Sequence, residues 1–445
     1  MAISAARRSA FEILRRVEEE SAFAAVLLAS LDEQTREDDR ALTHELVMGV
    51  LRRRMWLDRV IEHFAKRPVE KLDLAVRLAL EIALYQLRFL TRVPQSAAVN
   101  ESVNLVRAAS VKSAASFVNA VLRSATREPD YDPVAAIAEQ FEKLAIETSH
   151  PRWLIERWAA AFGFDEAANF ARANNEVPSI SFRLTKRALA NEDLHRDLLK
   201  TIEESGGSLS SSQIVDDSWR VRGATKITRK LADDGLIYFQ DEASQLVAQV
   251  LDARSNQRVL DIAAAPGSKA TQIAMLAPNA KVIAGDLYEH RVVTMRRLAA
   301  TQGAKIHLLV HDATRALPFA PEAFDRVLLD APCSGTGTLR RNPEIRYRLK
   351  PEDIIELSSR QAKMLMNAAV LVGRGGRLVY STCSVEIDEN ETVIDQFLRQ
   401  NKDFARINID APAELKIERG EVRTWPHRQK TDGFFVAMLE RKRST

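Results

Sequence analysis

Through about Thr148 the apolar positions recur every three or four residues, as in Phe11, Leu14 and Val17, then Leu46, Val50 and Met55, then Leu78, Ile82 and Leu87. That is the period of a helix with one buried stripe. Prolines are scarce there and fall at breaks: Pro68 between two helical stretches, and Pro94 after a helix ending near Leu90. Thr43, just ahead of Leu46, reads as a helix start. The pattern predicts an all-α bundle. From His150 the texture changes. Pro151 opens one more amphipathic helix, with Leu154 and Trp158 on one face, and residues 180–184 then alternate apolar and polar as a half-buried strand does. Short strands around a Gly206-Gly207 turn continue to Tyr238 and Phe239. After Ser255, apolar runs at 259–262, 282–284, 306–310, 327–329 and 378–380 are mostly separated by helical segments. Such alternation predicts a parallel sheet covered on both faces, and residues 434–439 add a last strand. The expected organisation is an all-α domain at 1–145, a small α+β domain at 146–235 and an α/β domain at 236–445.

Length agrees with this division, since 445 residues make roughly two to four folding units. With 46% hydrophobic and 28% charged residues the chain is expected to be globular. Sixty-four Lys and Arg against 61 Asp and Glu leave only +3, so any nucleic-acid surface must come from local patterning. No apolar run approaches the ~20 residues that span a bilayer, and the opening residues lack a signal peptide's apolar stretch. Two cysteines make neither a disulfide framework nor a four-ligand zinc site. A cytoplasmic protein without membrane or metal partners is expected.

The carboxylates are the first chemical signal. Asp261 lies in the first apolar run of the α/β domain, and Asp286, Asp312 and Asp330 follow the next three almost at once. In doubly wound sheets ligands bind outside the carboxyl ends of the strands. Acids there are tolerated where they face solvent or hydrogen-bond donors, because a buried unpaired carboxylate is costly. One such Asp is an ordinary loop starter or helix cap; four on consecutive strands point to a ligand. The turn after the first strand reads Ala263-Ala264-Ala265-Pro266-Gly267-Ser268-Lys269. It has neither the glycine spacing of dinucleotide sites nor that of a phosphate-binding loop. Small residues there, with an acid 25 positions later for ribose hydroxyls, suit a nucleoside cofactor without phosphates. S-adenosylmethionine is such a ligand, although many Rossmann-like proteins share the geometry.

The only cysteines, Cys333 and Cys383, both directly follow sheet strands, in Asp330-Ala331-Pro332-Cys333-Ser334-Gly335-Thr336-Gly337 and Tyr380-Ser381-Thr382-Cys383-Ser384. A free cysteine is most often a small buried hydrophobe. Here the flanks are polar and turn-like and lie on the sheet's ligand edge, which favours at least one nucleophile. A thiol beside a methyl donor suggests a particular reaction. Carbon 5 of a pyrimidine is too weak a nucleophile to take a methyl group unaided; a thiolate added to carbon 6 makes an enamine that can. An unperturbed thiol is only a few per cent ionised at neutral pH, a deficit of about 2 kcal/mol. A nearby cation such as Lys269 could supply part of that. Asp330, if protonated, could hydrogen-bond the ring nitrogen.

Taken together, Asp261 through Lys269, Asp286, Asp312, the Asp330–Gly337 stretch and Thr382-Cys383-Ser384 resemble the successive motifs of the RNA 5-methylcytosine methyltransferases. Gln240-Asp241-Glu242-Ala243-Ser244 resembles the segment leading into their catalytic domain, and Thr431-Asp432-Gly433-Phe434-Phe435 their closing strand. The first domain is similar to the antitermination factor NusB, through Glu45-Leu46-Val47-Met48-Gly49-Val50-Leu51-Arg52, Tyr85-Gln86-Leu87, Pro94 with Val99-Asn100-Glu101, and Phe117-Val118-Asn119-Ala120-Val121-Leu122-Arg123. The resemblance implies a Rossmann-like methyltransferase domain, a NusB-like RNA-binding domain and a small α+β linking domain. It implies methylation at carbon 5 of a cytosine in 16S rRNA, at position 967 in the customary numbering, by a monomer using S-adenosylmethionine. Cys383 would be the covalent nucleophile and Cys333 the residue needed for release. Asp286 would hold the ribose and Asp312 the adenine, with Asp330 and the loop from Ala263 to Lys269 around the methionine end. Two positions depart from the family's pattern: its usual cysteine and second glycine are here Ala263 and Ser268, and Ser268 fits only if its backbone angles do not demand glycine.

Between Ser334 and Lys350 five basic residues (Arg340, Arg341, Arg346, Arg348 and Lys350) face one acid, Glu344, with Tyr347 among them to stack on a base. Arg340, Arg341, Arg346, Tyr347 and Arg348 are the expected RNA contacts. Two rival readings remain: a non-catalytic NusB-like rRNA-binding or assembly protein with a vestigial methyltransferase fold, and a DNA cytosine methyltransferase. The latter enzymes place the attacking cysteine in the Pro-Cys turn.

Overall fold

A computed structural model describes residues 3–31, 35–190 and 192–443. The chain divides into two units: residues up to Glu176 together with Leu339–Arg348, and Val177–Thr338 together with the residues from Leu349 onward. In the first, helices Ala5–Glu19, Glu37–Ala65, Leu74–Phe89, Gln95–Ala108 and Ala115–Arg127 bury the expected stripes, with Leu14, Val17, Leu46, Val50, Leu78, Ile82 and Leu122 in one core. Met55 and Leu87 lie at its margin, and Leu57 fills the interior instead. Gly49 is the point of closest approach between the second and third of these helices, because a side chain there would collide with the Tyr85 ring. The Tyr85 hydroxyl in turn donates to Glu45.

Two expectations are corrected in this unit. Thr43 does not start a helix. It lies inside Glu37–Ala65, where its hydroxyl donates back to the Asp39 carbonyl, an alternative open to threonine within a helix. Helix Gln140–Thr148 runs across residues 145–146, and Arg152–Phe162 and Phe164–Ala173 pack within the helical unit. Their stripes meet each other, with the Trp158 ring edge-on to Phe170 at 4.6 Å. A stripe reports that a helix is buried, not which neighbour buries it.

The second correction concerns the basic segment. Leu339–Arg348 is part of the helical unit, where Arg346 and Arg348 are bound. Arg346 is fully buried and donates to the Thr148 carbonyl (3.1 Å), the Asn174 carbonyl (3.3 Å) and Asn175 Oδ1 (2.9 Å); burial lowers its pKa to about 10. Arg340 is buried as well, and its carbonyl accepts from Arg52. The Tyr347 hydroxyl donates to the Leu51 carbonyl at 2.7 Å, while Arg348 donates to the carbonyls of Val17, Ser21 and Ala22. Arg341 is half-buried. Arg346 and Arg348 therefore satisfy backbone carbonyls near helix ends, which otherwise lack partners, and the buried side chains of Arg340 and Arg346 present no RNA surface.

The second unit holds two sheets. Strands β1 (Ile180–Leu184), β2 (Ser208–Ser211), β3 (Ser218–Arg222) and β4 (Ile237–Phe239) form an antiparallel sheet in the order β2-β3-β1-β4. Its core is Phe182, Leu184, Leu198, Ile202, Val221, Leu231 and Ile237. The larger sheet contains β5 (Arg258–Asp261), β6 (Lys281–Asp286), β7 (His307–Val310), β8 (Phe324–Asp330), β9 (Val372–Thr382), β10 (Phe404–Arg406), β11 (Val422–Arg423) and β12 (Phe435–Arg441). Its order is β10-β12-β9-β8-β5-β6-β7, with β11 paired to β12. Strands β5 to β9 run parallel, and β12 pairs antiparallel with β9. Alternate residues of these strands feed two apolar layers. Val259, Val282, Leu328 and Val379 pack with helices Glu242–Val250, Ser268–Leu276 and Glu289–Gln302, and Leu260, Val327, Leu329 and Tyr380 with Pro351–Val370 and Glu391–Gln400. This is the covered parallel sheet that the apolar runs predict. Strand order reverses between β5 and β8, the place where such sheets bind ligands.

Among the described residues no helix is long and apolar enough to cross a membrane. Replacing Arg346 with Ala leaves several buried carbonyls without donors, and each such loss costs about 1–3 kcal/mol. Arg346→Ala is expected to lower the urea midpoint of the helical unit markedly. An RNA-contact role would instead weaken RNA binding at unchanged stability.

Candidate active site

The acids and both cysteines gather where the parallel strands end. Asp261, Asp286 and Asp330 are the last residues of β5, β6 and β8; Asp312 comes two residues after β7, and Cys383 directly after β9. The turn leaving β5 is fixed by an Ala264 N–H donated to the Gly285 carbonyl at 2.8 Å. Gly267 occupies the left-handed region at φ +104°, so glycine's freedom is needed there. Ser268 is the first residue of helix Ser268–Leu276, and its backbone does not demand glycine.

Lys269 and Asp330 form an ion pair at 2.7 Å, and the Ser381 hydroxyl donates to the other Asp330 oxygen at 2.7 Å. Burial works against the Lys269 ammonium, but Asp330, then Asp261 and Cys383, outweigh it and raise its pKa. The lysine is therefore a cation fixed by Asp330, with Cys383 near enough to add to its shift. Asp286 is buried and accepts weakly from the N–H groups of Ala265 (3.4 Å) and Tyr288 (3.3 Å). Asp312 accepts from the Thr314 hydroxyl and N–H, and these bonds hold its pKa below the usual carboxylate value.

Asp261 differs from what its place in the row suggests. It faces neither solvent nor donors: it is fully buried and neither carboxyl oxygen has a protein partner. Burial, and then Asp330 and Asp286, push its pKa up to about 8. An orphaned buried acid beside a small-residue turn fits a ligand that brings its own donor or positive charge. The amino-acid end of S-adenosylmethionine carries both.

The cysteines are 50 residues apart in sequence and 3.3 Å apart at sulfur. Cys333 keeps its proton. The hydrogen bond to Cys383, burial, and the charges of Cys383 and Glu389 all raise its pKa well above the usual thiol value. The two turns interlock through the backbone: Gly337 donates to the Cys383 carbonyl (2.9 Å), and Gly433 donates to the Gly337 carbonyl (2.8 Å). A side chain on Gly337 would run into the Gly433 carbonyl.

Several residues at this site were not anticipated from sequence. Arg183 alternates with apolar neighbours and reads as solvent-facing, yet it is buried. Its guanidinium donates to Gln240 Oε1 (2.8 Å), the Ser268 carbonyl (3.1 Å), Thr271 Oγ1 (3.0 Å) and Gln302 Oε1 (3.0 Å). It thus braces the helix that carries Lys269. Ser381, Gln361 and Glu389 were likewise missed. Glu389 sits in an acidic run that reads as solvated, and only its spacing from Cys383 could have flagged it.

The raised pKa of Asp261 sets a pH dependence. The unfolded chain ionises this acid above about pH 4, while the folded chain holds it neutral to about pH 8. Its contribution to stability is complete below pH 4 and is lost as pH rises through 8. Asp261→Asn is expected to raise the cofactor-free melting temperature more at pH 8 than at pH 5; parallel pH profiles for the two proteins would contradict this.

Residues 248–440 match the family model of the 16S rRNA methyltransferases RsmB/F, residues 4–127 that of the NusB family, and residues 150–228 that of the ferredoxin-like domain of RsmF/B-like methyltransferases. The chain is 35% identical over 448 residues to the probable ribosomal RNA small subunit methyltransferase B of Bacillus subtilis, covering 98% of both chains. It is 30% identical over 432 residues to ribosomal RNA small subunit methyltransferase B of Erwinia tasmaniensis, covering 97% of both. The crystal structure of PH0851 superposes with a TM-score of 0.83 at 30% identity, covering 99% of this chain and 100% of that one. NSun6 from Pyrococcus horikoshii, solved with the S-adenosylmethionine analogue SFG, shares the fold at a TM-score of 0.57 and 20% identity, over 66% of this chain and 99% of that one. With relatives matched along almost their whole length, and with a helical unit, a small antiparallel sheet and a doubly wound sheet in the corresponding places, the chain belongs to the RsmB/F family of S-adenosylmethionine-dependent rRNA methyltransferases.

Proposed function

We propose that the protein methylates carbon 5 of a cytosine in 16S rRNA, acting as a monomer in the cytoplasm, through a transient bond between Cys383 and carbon 6. The observation that carries this reading is the pair of sulfurs 3.3 Å apart in the turns that leave adjacent strands, with the Lys269 cation near enough for Cys383 to act on its charge. An rRNA methyltransferase acting on oxygen or an exocyclic nitrogen has no use for two thiols in contact. Carbon 5 needs a nucleophile to activate it and then a way to release that nucleophile.

S-adenosylmethionine supplies the methyl group on a sulfonium. Asp286 suits the ribose hydroxyls and Asp312 the adenine amino group, each as an acceptor; Asp261 and the loop from Ala263 to Lys269 suit the methionine end. Cys383 bonds to carbon 6 of the base, electron density moves to carbon 5, and carbon 5 takes the methyl group as the bond from methyl to donor sulfur breaks, leaving S-adenosylhomocysteine with that electron pair. A base then removes the carbon-5 proton. The carbon–sulfur bond breaks, its electron pair returns to Cys383, and the ring double bond is restored. Cys333, which keeps its proton, donates to the departing Cys383 sulfur and stabilises its negative charge. Asp330 already accepts from Lys269 and Ser381 and suits the 4-amino group of cytosine as an acceptor. The ring-nitrogen bond expected of Asp330 needs a donor, and the neighbouring Lys269 ammonium is one.

Because the two sulfurs touch, Cys333 as the attacking thiol is the alternative to be tested. Cys383→Ala is expected to lower methyl transfer from labelled S-adenosylmethionine to 16S rRNA by about a thousandfold or more. Cys333→Ala is expected to retain attack and lose release, leaving a protein–RNA adduct that survives a denaturing gel. The reverse pattern would exchange the two roles. Bisulfite sequencing of 16S rRNA from cells lacking the protein is expected to show one cytosine newly unprotected, at position 967; an unchanged pattern counts against the substrate assignment.

A further inference from the structure

Glu389 is fully buried within the catalytic unit, and its carboxylate lies between the two cysteine turns. One oxygen accepts from the Ser334 N–H (2.9 Å) and Gln361 Nε2 (2.8 Å), the other from the hydroxyls of Ser334 and Ser384 (both 2.5 Å). Ser334 follows Cys333 and Ser384 follows Cys383. Four neutral donors around one buried carboxylate make an arrangement costly to disturb, since each would be left unpaired in a dry site. We propose that Glu389 is a positioning residue that holds Cys333 against Cys383 for the release step; this rests on the covalent reading above.

The two turns depend on Glu389 unequally. The Cys383 turn has other supports: Asn390 Nδ2 donates to the Ser384 carbonyl, Gly337 N–H to the Cys383 carbonyl, and Ser384 N–H to Thr382 Oγ1. The Cys333 turn leans on Glu389 twice through Ser334, by N–H and hydroxyl, and once more through Gln361, which bridges Glu389 Oε1 and the Pro332 carbonyl. Loss of the carboxylate therefore frees Cys333 first and leaves attack by Cys383 largely intact. The Glu389 charge also helps to keep the proton on Cys333, the form that assists departure of Cys383.

The test compares the parent, Glu389→Ala, Glu389→Gln and Cys333→Ala in the full-length protein, after S-adenosylhomocysteine binding has verified that the cofactor site is intact. Glu389→Ala is expected to lower kcat about a hundredfold, the loss typical of a small misplacement, with KM for RNA and cofactor within threefold. It is also expected to accumulate the gel-stable adduct seen with Cys333→Ala. Glu389→Gln, which keeps one acceptor oxygen and the volume, is expected to lie between Glu389→Ala and the parent. In the double variant Glu389→Ala/Cys333→Ala, turnover should be no lower than in Cys333→Ala, because Glu389 acts through Cys333. A readout without RNA separates this proposal from the reaction it serves. The chain has only these two cysteines, so dibromobimane bridges them or nothing within a chain, and its rate relative to single-thiol alkylation by monobromobimane is expected to fall about tenfold in Glu389→Ala. An unchanged bridging ratio, or turnover within twofold of the parent, overturns the role of Glu389. If neither Cys333→Ala nor Cys383→Ala yields an adduct, the covalent reading falls, and the bridging ratio alone decides for Glu389.

Discussion

The parallel pairing of β8 with β9, in a register that sets Asp330 opposite Ser381, is the constraint on which the site depends. Each strand ends at this level, so the Pro-Cys and Thr-Cys turns leave the sheet side by side, and residues 50 apart in sequence meet at sulfur. A shift of the register by one residue would move Ser381 to the other face of the sheet. The Asp330 bond to Ser381, the ion pair to Lys269 and the approach of the thiols would be lost together. What pins the register is ordinary packing. Leu328 and Val379 face one apolar layer and Leu329 and Tyr380 the other, so neither strand can slip without exposing apolar side chains and burying polar ones.

Charge enters this dry region only where something answers it. The Lys269 ammonium is matched by Asp330, Glu389 by four donors, and Arg183 by a ring of carbonyl and amide oxygens. Asp261 is the exception, and its raised pKa is the response: a buried acid with no donor stays neutral. The unanswered group lies beside the turn from Ala263 to Lys269, where a cofactor with its own positive charge and donors would complete it. The unsatisfied carboxyl of Asp261 thus marks the ligand more directly than the hydrogen-bonded Asp286 and Asp312 do.

Strands and their order of use were legible in the sequence because short apolar runs bounded by polar turns fit a buried strand and little else. The acids at strand ends and the two cysteines were legible because unusual residues recur at equivalent places. Burial of individual polar residues was not. Arg183 fits the polar phase of an alternating strand, and nothing local says that a helix end lies across from it. Leu339–Arg348 reads as an exposed basic loop, since four cations in a short span usually are one; that backbone carbonyls take up Arg346 and Arg348 depends on residues some 170 to 330 positions away. Thr43 has a cap's chemistry but lies within a continuous helix. In each case composition gives the donor, and only the fold supplies the acceptor.

The same logic bears on which thiol does what. The two sulfurs are in contact at 3.3 Å, and their surroundings differ. Around Cys333 the bond to its neighbour, burial and the negative charge of Glu389 favour the protonated form and outweigh the opposing backbone hydrogen bond at Gly335. Lys269 is the nearby cation, and its pKa is raised partly by Cys383 itself, as suits a cation close to developing negative charge. Under the proposed chemistry a single proton on Cys333 serves at both ends of the cycle, stabilising the Cys383 thiolate before attack and again as it leaves. Attack and release then call for the same arrangement of two turns, one lysine and one buried glutamate, and no conformational change between the steps is needed to exchange the roles of the sulfurs.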